Sequence, residues 1–202
     1  EKLVKAVHKA LKELGLSNAT FDVRIGQRSE DEGGGGDPAA RHEIEADQQR
    51  FGERGMDRIE FLLAANPGES MNRLREVASG GETARIMLAL RGVLAEAGER
   101  RSLLFDEIDS GVGGRLGPTV GAHLRKLGEH HQVLCVTHLP AIAAMASVHQ
   151  RVEKKVEAGR TRTRVEALDG ERRVREIADM IAGGKDQETA RAEARRLMEL
   201  AT

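Results

Sequence analysis

Aromatic residues are nearly missing from this chain of 202 residues, which has four Phe, no Trp and no Tyr. Its core must be built from aliphatic side chains and methionine, and the aromatic platforms that grip single-stranded nucleic acid are excluded. The single cysteine excludes an internal disulfide and is typical of a reducing compartment. Charges nearly cancel, with 32 Lys and Arg against 33 Asp and Glu, so no global field draws the chain to DNA or membrane.

Long hydrophobic runs and a secretory leader are also missing, and no apolar stretch approaches the roughly 20 residues of a membrane span. The chain begins at Glu1, without methionine and inside a helical pattern, so we expect it to be cut from a longer protein. A phosphate-binding loop of the form Gly-x-x-x-x-Gly-Lys-Ser/Thr does not occur. Gly183-Gly-Lys-Asp186 comes nearest but lacks the hydroxyl residue, so a turn between two helices is predicted there.

The start of the chain carries the spacing of an amphipathic helix. Val4, Val7, Leu11 and Leu14 recur at intervals of three, four and three, which fits both the seam of a coiled coil and a helix facing a core. Gly15 is expected to end this helix in the left-handed conformation.

After residue 15 the chain alternates between apolar segments typical of strands and periodic segments typical of helices. Strands are predicted at 21–25, 59–63, 102–105 and 133–137, a hairpin at 149–168, and helices after Gly81, at 115–129, from Pro140, at 171–182 and at 187–200. The run at 102–105 is expected to be a fully buried parallel strand, and Cys135 a buried core thiol. An acidic, glycine-rich segment at 30–38 predicts an exposed loop. The alternation predicts an α/β fold.

The first candidate site is Ser79-Gly80-Gly81-Glu82, which leads directly into a helix. Two glycines at a helix N-terminus leave backbone N–H groups exposed, and the helix dipole there favours an anion such as phosphate. The serine could add a hydroxyl donor. The same residues also fit an ordinary helix cap, in which Ser79 accepts from the backbone and the glycines only permit the turn.

The second candidate is an acidic pair that follows an apolar strand, in Leu103-Leu-Phe-Asp-Glu-Ile-Asp109. The carboxyl ends of strands are where α/β sheets bind ligands. Asp106 suits a Mg²⁺ ion that keeps most of its water shell, and Glu107 suits the orientation and deprotonation of an attacking water. A solvated acidic turn is the plainer interpretation of the pair.

The third candidate is His138, which stands at the tip of the apolar run Val133-Leu-Cys-Val-Thr137. Because both strands deliver their polar residues at their carboxyl ends, we expect His138 at the same sheet edge as the acidic pair. A neutral imidazole there could accept from a water or donate to a γ-phosphate. A lone histidine is otherwise more often structural.

The order of these three features resembles the signature motif, Walker B and switch histidine of ABC-type ATPases. The resemblance is closer to the RecN family of bacterial SMC-like ATPases of DNA repair. It is carried by four segments that cover most of the chain, namely Asn66-Pro-Gly-Glu69, Val77-Ala-Ser-Gly-Gly-Glu82, Phe105-Asp-Glu-Ile-Asp109 with Gly111-Val-Gly-Gly114, and Thr137-His-Leu-Pro140.

This resemblance implies the C-terminal part of an ABC/SMC-type ATPase head with a P-loop NTPase fold. Residues 1–15 would be the end of a coiled-coil arm and residues 16–202 the C-terminal lobe of the head. A separate N-terminal segment would supply Walker A, and a second head would complete each site in a homodimer. The cofactors would be ATP and Mg²⁺.

The resemblance also assigns roles to individual residues. Asp106 would be the Mg²⁺-associated carboxylate, Glu107 the catalytic base and His138 the γ-phosphate sensor, while Asp109 would lie in the loop linking two active sites. The signature residues Ser79, Gly80, Gly81 and Glu82 would face ATP bound to the partner head.

The implied function is recombinational repair of DNA double-strand breaks by a cytoplasmic, nucleoid-associated protein that binds DNA and no membrane. Arg160, Arg162 and Arg164 alternate along one predicted strand, as in a phosphate-binding stripe, or as in a solvated edge strand protected by charge, which we favour. Two other functions remain open. One is the ATPase subunit of another ABC-type system, such as a transporter. The other is a structural module that only dimerises.

Overall fold

The computed structural model describes residues 1–27, 57–76, 80–157, 160–183 and 187–200. The predicted loop at 30–38, Ser79, the turn at 158–159 and residues 184–186 lie outside these described residues. The chain forms two compact units, one comprising Glu1–His8 and Asn18–Ala78, the other Lys9–Ser17 and Ser79–Thr202.

Helix α1 spans Lys2–Glu13, as its periodicity predicts. Val7, Leu11 and Leu14 are almost completely buried because they share one face of the helix. Gly15 follows with a φ of 78°, which confirms its left-handed conformation. The domain boundary after residue 15 stays a prediction.

The described residues of the first unit include a three-stranded antiparallel sheet. Strand β1 (Thr20–Gln27) pairs with β2 (Asp57–Ala64) along their whole length, and the short β3 (Asn72–Arg73) lies on the other side of β2. The rings of Phe21 and Phe61 are 5.6 Å apart between centroids. Both alternating runs are thus confirmed as strands.

The second unit alternates helices and strands, as predicted. Its elements are α2 (Gly80–Val93), β4 (Ser102–Phe105), α3 (Gly117–His130), β5 (Gln132–Cys135), α4 (Pro140–Ala143), β6 (His149–Glu157), β7 (Arg160–Leu168), α5 (Gly170–Ala182) and α6 (Gln187–Glu199). Strands β4 and β5 are parallel, and β6 and β7 form an antiparallel hairpin. Among the described residues, no helix combines the length and hydrophobicity that a bilayer span requires.

The predicted full burial of the run at 102–105 is wrong. Phe105 is buried, but Leu104 is 69% exposed and Leu134 beside it on β5 is 54% exposed. Side chains alternate between the two faces of a strand, and the described elements cover one face only. Cys135 is likewise half-buried rather than buried. Its pKa is raised to about 12, first by burial and then by the negative charges of Asp109 and Asp106.

Two groups of aliphatic side chains fill the interior of the second unit. The helices and strands around β4 bury Ile86, Leu88, Ile108, Val120 and Leu127. The paired helices α5 and α6 bury a separate cluster that includes Val174, Ile177, Ala194 and Leu197. Ile108 of the first group belongs to the loop that follows β4, where the candidate site is located.

Candidate functional site

The chain direction changes directly after β4, where Asp106 and Glu107 are exposed next to the buried Phe105. Asp106 Oδ1 accepts a hydrogen bond of 2.9 Å from the backbone N–H of Glu107. Glu107 has a φ of 56°, in the left-handed region that side chains other than glycine rarely adopt. Such a conformation costs about 1–3 kcal/mol and persists only where neighbouring contacts hold it.

Asp109, three residues further on, is only 5% exposed. Its Oδ2 accepts from Thr137 Oγ1 at 2.5 Å and from the backbone N–H of His138 at 2.8 Å, and lies 3.1 Å from His138 Nδ1. One carboxylate oxygen therefore joins the loop after β4 to the segment after β5. The structure thus brings His138 to Asp109, whereas the sequence predicted the acidic pair Asp106 and Glu107 as its neighbours at the sheet edge.

The pKa of Asp109 is lowered by this arrangement. Burial by itself raises it, but the hydrogen bonds from Thr137 and from the His138 backbone, with the charge of His138, outweigh burial. Asp109 is therefore held as a carboxylate. The His138 side chain is 77% exposed, so its ring has one side on Asp109 and the rest in solvent.

The two signature glycines begin α2 against this same loop. A Cβ at Gly80 would lie 2.9 Å from Glu107 Oε2, and a Cβ at Gly81 would lie 2.6 Å from the backbone oxygen of Ser110. A side chain at Gly81 would therefore collide with backbone. The predicted anion-binding helix N-terminus and the predicted catalytic carboxylate are neighbours within one chain.

Arg85 contacts this loop from α2, and the sequence motifs did not indicate it. It is 6% exposed, and its Nη1 donates to Ser110 O at 2.9 Å and to Ile108 O at 3.5 Å. Burial lowers its pKa, against the charge of Glu82, which raises it. One signal was available, because Gly81, Arg85 and Ala89 recur every four residues along the buried face of α2.

The described residues contain no cluster of three or more His, Cys, Asp or Glu side chains that could hold a metal ion. An exposed carboxylate such as Asp106 could take a Mg²⁺ ion, which usually keeps several waters and takes substrate phosphates as further ligands.

Taken as chemistry, the site combines an exposed carboxylate pair, an imidazole oriented by a buried carboxylate, and a helix N-terminus made of glycine. Carboxylates and imidazole can position or deprotonate a water, and the exposed N–H groups of a helix N-terminus favour an anion. This set is suited to hydrolysis of a phosphorylated compound.

The amino-acid sequence is similar to those of several known DNA repair proteins. The chain is 38% identical over 200 residues to the DNA repair protein RecN of Halalkalibacterium halodurans, a match that covers 99% of this chain and 33% of the relative. It is 41% identical over 192 residues to the DNA repair protein RecN of Treponema pallidum, covering 95% of this chain and 31% of the relative. No family model matches the chain.

Among solved structures, the Smc head domain with a coiled coil and joint from Pyrococcus yayanosii aligns with a TM-score of 0.51 and 18% identity. The alignment covers 88% of this chain and 28% of that one. At this identity the likeness concerns the fold, which is that of an SMC head domain. On the evidence of its relatives, the chain belongs to the RecN family and spans about a third of the length of the curated members it matches.

Proposed function

We propose that this chain is the C-terminal part of an SMC-like ATPase head that binds and hydrolyses ATP in recombinational repair of DNA double-strand breaks. The observation that carries the proposal is the buried Asp109, which holds His138 beside a loop bearing Asp106 and Glu107. An acidic turn without function would not need a buried carboxylate to organise it.

In this proposal Glu107 orients the attacking water and accepts its proton. Asp106 would hold Mg²⁺ through its water shell, and the ion would supply charge neutralisation on the phosphates when bound. His138 would sense the γ-phosphate through the part of its ring that Asp109 leaves exposed. Asp109 fixes the ring orientation, which is the usual task of a carboxylate bonded to a catalytic imidazole.

Gly80 and Gly81, with Ser79 beside them, would bind the γ-phosphate of ATP held by a second head. Their location at the start of the 14-residue helix α2 supports this role. The chain itself carries no Gly-x-x-x-x-Gly-Lys-Ser/Thr, so a Walker A segment would complete the head. ATP would then join two heads, and hydrolysis would release them.

DNA is the proposed partner because the relatives are named DNA repair proteins. A protein with this task would act in the cytoplasm at the nucleoid. The proposed chemistry of the site requires no direct contact to DNA, so DNA contacts are expected elsewhere on the head or its arm.

The deciding experiment replaces the proposed base in a head completed by its Walker A segment. We expect Glu107→Gln to lower the rate of ATP hydrolysis by roughly 10²–10⁴-fold, because a general base contributes that much. ATP binding should survive, so ATP-bound dimers should accumulate and be visible by size-exclusion chromatography. Glu129→Gln, an exposed glutamate on α3, serves as the matched control and should turn over normally.

Residues 1–202 alone should hydrolyse no ATP above background. Turnover by this chain alone that disappears in Glu107→Gln would contradict the need for a Walker A segment. Unchanged turnover of Glu107→Gln in the completed head would contradict the role of the carboxylate.

A further inference from the structure

Arg85 is a charged side chain at a buried position of α2, where an apolar side chain could be buried at a lower cost in free energy. It is 6% exposed, and its neighbours along α2, Ile86, Leu88 and Ala89, are also buried. Its Nη1 donates to backbone carbonyl oxygens rather than to a carboxylate, and its Nε is buried with no hydrogen-bond partner among the described residues. Burying a charge in this way costs free energy, which suggests a task other than stability.

The acceptors of Arg85 identify that task. Ile108 O and Ser110 O flank Asp109, the carboxylate that holds the backbone and ring of His138. Ser110 O is also the atom that a Cβ at Gly81 would meet at 2.6 Å. Two residues of α2 therefore lie close to the same atom of the loop, Ser110 O. Arg85 donates a hydrogen bond to it, and Gly81 approaches it so closely that a side chain would not fit.

The loop has reason to need this support. Glu107 has its strained φ of 56°, and the turn is closed by bonds of 2.9 Å from Ser110 N to Glu107 O and of 3.0 Å from Val112 N to Asp109 O. A strained turn remains in place when several contacts determine it together. The bond from Arg85 comes from outside the turn and ties it to a rigid helix.

We propose that Arg85 is a positioning residue, which fixes the loop bearing Glu107 at a set distance from the helix N-terminus bearing Gly80 and Gly81. The inference rests on the proposed function for its catalytic consequence. Glu107 serves the nucleotide of its own head, whereas the two glycines would serve the nucleotide of the partner head. By joining them, Arg85 links the geometry of one ATP site to that of the other.

The first test measures the loop directly, in the 202-residue chain and without nucleotide. In Arg85→Gln, amide hydrogen exchange of Ser110 and Val112, followed by NMR, should accelerate about tenfold because Ser110 O loses its donor. The amide of His131, which donates to Leu127 O at 3.0 Å, should keep its rate and thereby exclude global unfolding.

Arg173→Gln is the matched control. Arg173 also donates to backbone carbonyls, those of Ala143, Ala144 and Ala146, and burial also lowers its pKa. Its bonds are made away from the turn that Glu107 and Ser110 close, so the exchange of Ser110 and Val112 should remain at the wild-type rate.

The second test measures ATP turnover in the completed head. Arg85→Gln should lower kcat at least about tenfold with KM within about twofold, because a displaced base loses its alignment more than the site loses nucleotide. Arg85→Lys, which keeps the charge and one donor direction, should recover part of the loss. The Hill coefficient for ATP should also fall, since the two sites lose their connection.

Four results are distinguishable. Faster loop exchange together with reduced kcat supports the proposal. Unchanged loop exchange in Arg85→Gln overturns it. Faster exchange with unchanged kcat also overturns it, because Arg85 is then only structural. Faster exchange in a protein whose wild type hydrolyses no ATP supports the positioning of the loop and overturns the proposed function instead.

Discussion

The loop after β4 and the β6–β7 hairpin differ in how far their charged side chains are exposed to solvent. At the loop, the buried Asp109 accepts hydrogen bonds from the segment after β5, and the buried Arg85 of α2 donates to the loop backbone. In the hairpin, Glu153 lies 3.1 Å from Lys155 and 3.3 Å from Arg151, in pairs open to solvent. Exposed pairs are worth little and buried ones specify geometry. The difference is that charges at the loop are buried and fixed by hydrogen bonds, whereas the more numerous charges of the hairpin lie in solvent and leave its backbone geometry to the strand pairing.

The hairpin also exposes several apolar side chains, whereas Ile108 in the loop is fully buried. Val152, Val156 and Val165 are 64%, 74% and 57% exposed, and Val152 pairs with Val165 across the two strands. The opposite face carries the alternating charges. The hairpin is thus defined by its backbone pairing, whereas the loop is defined by its side chains, and substitutions should separate the two.

The largest effect is expected for Asp109→Asn. Replacing a buried charged acceptor of three interactions should lower the free energy of unfolding by about 3 kcal/mol, measured by urea denaturation at pH 7. Because the folded pKa of Asp109 is lowered, its contribution is complete above the unfolded pKa of about 3.9 and is lost as the pH falls through the folded value.

The difference between wild type and Asp109→Asn should therefore shrink below about pH 4. Asp169→Asn is the control, since the Asp169 side chain is 86% exposed and bonds Arg172 at 2.9 Å, and it should change stability by less than about 0.5 kcal/mol. Equal effects of the two substitutions would contradict the distinction between a buried and an exposed carboxylate.

An intermediate effect is expected for Gly81→Ala. The new methyl group would lie 2.6 Å from Ser110 O, and relief requires the helix or the loop to shift, at a cost of about 2 kcal/mol. Gly114→Ala has nothing within 4 Å of its Cβ and should be neutral. Chemical denaturation of both variants gives the comparison, and a neutral Gly81→Ala would mean that helix and loop are less closely packed than the structure has them.

The smallest effect is expected for the combined substitution Arg160→Gln, Arg162→Gln and Arg164→Gln. All three side chains are exposed, so the free energy of unfolding should change by less than about 0.5 kcal/mol. The salt dependence of DNA binding by the completed protein, followed by fluorescence anisotropy, should also be unchanged. A slope reduced by roughly 3 would show instead that these arginines neutralise phosphates.

Much of the secondary structure could be predicted from periodicity alone. The burial of Val7, Leu11 and Leu14 on α1 and the parallel pairing of β4 with β5 follow from local pattern. The exposure of Leu104 could not be predicted. An apolar run indicates that a strand prefers to be buried, but it does not show which neighbouring elements cover each of its faces.

The sequence predicted which residues belong to the candidate site better than it predicted the hydrogen bonds between them. The order of motifs predicted the acidic pair and His138 at one sheet edge, but the burial of Asp109 and its hydrogen bond from Thr137 depend on the approach of two loops in space. Arg85 was missed because its partners are backbone carbonyls, and a backbone acceptor has no signature in the sequence.

The left-handed backbone at Glu107 also bears on how this protein would respond to selection in the laboratory. Glycine adopts that conformation with little penalty, whereas glutamate does not. A library screened for thermal resistance alone should therefore enrich glycine at this position and discard the carboxylate proposed to activate water. Stability and turnover make opposite demands on one residue, so variants of this head should be chosen by a screen that scores both.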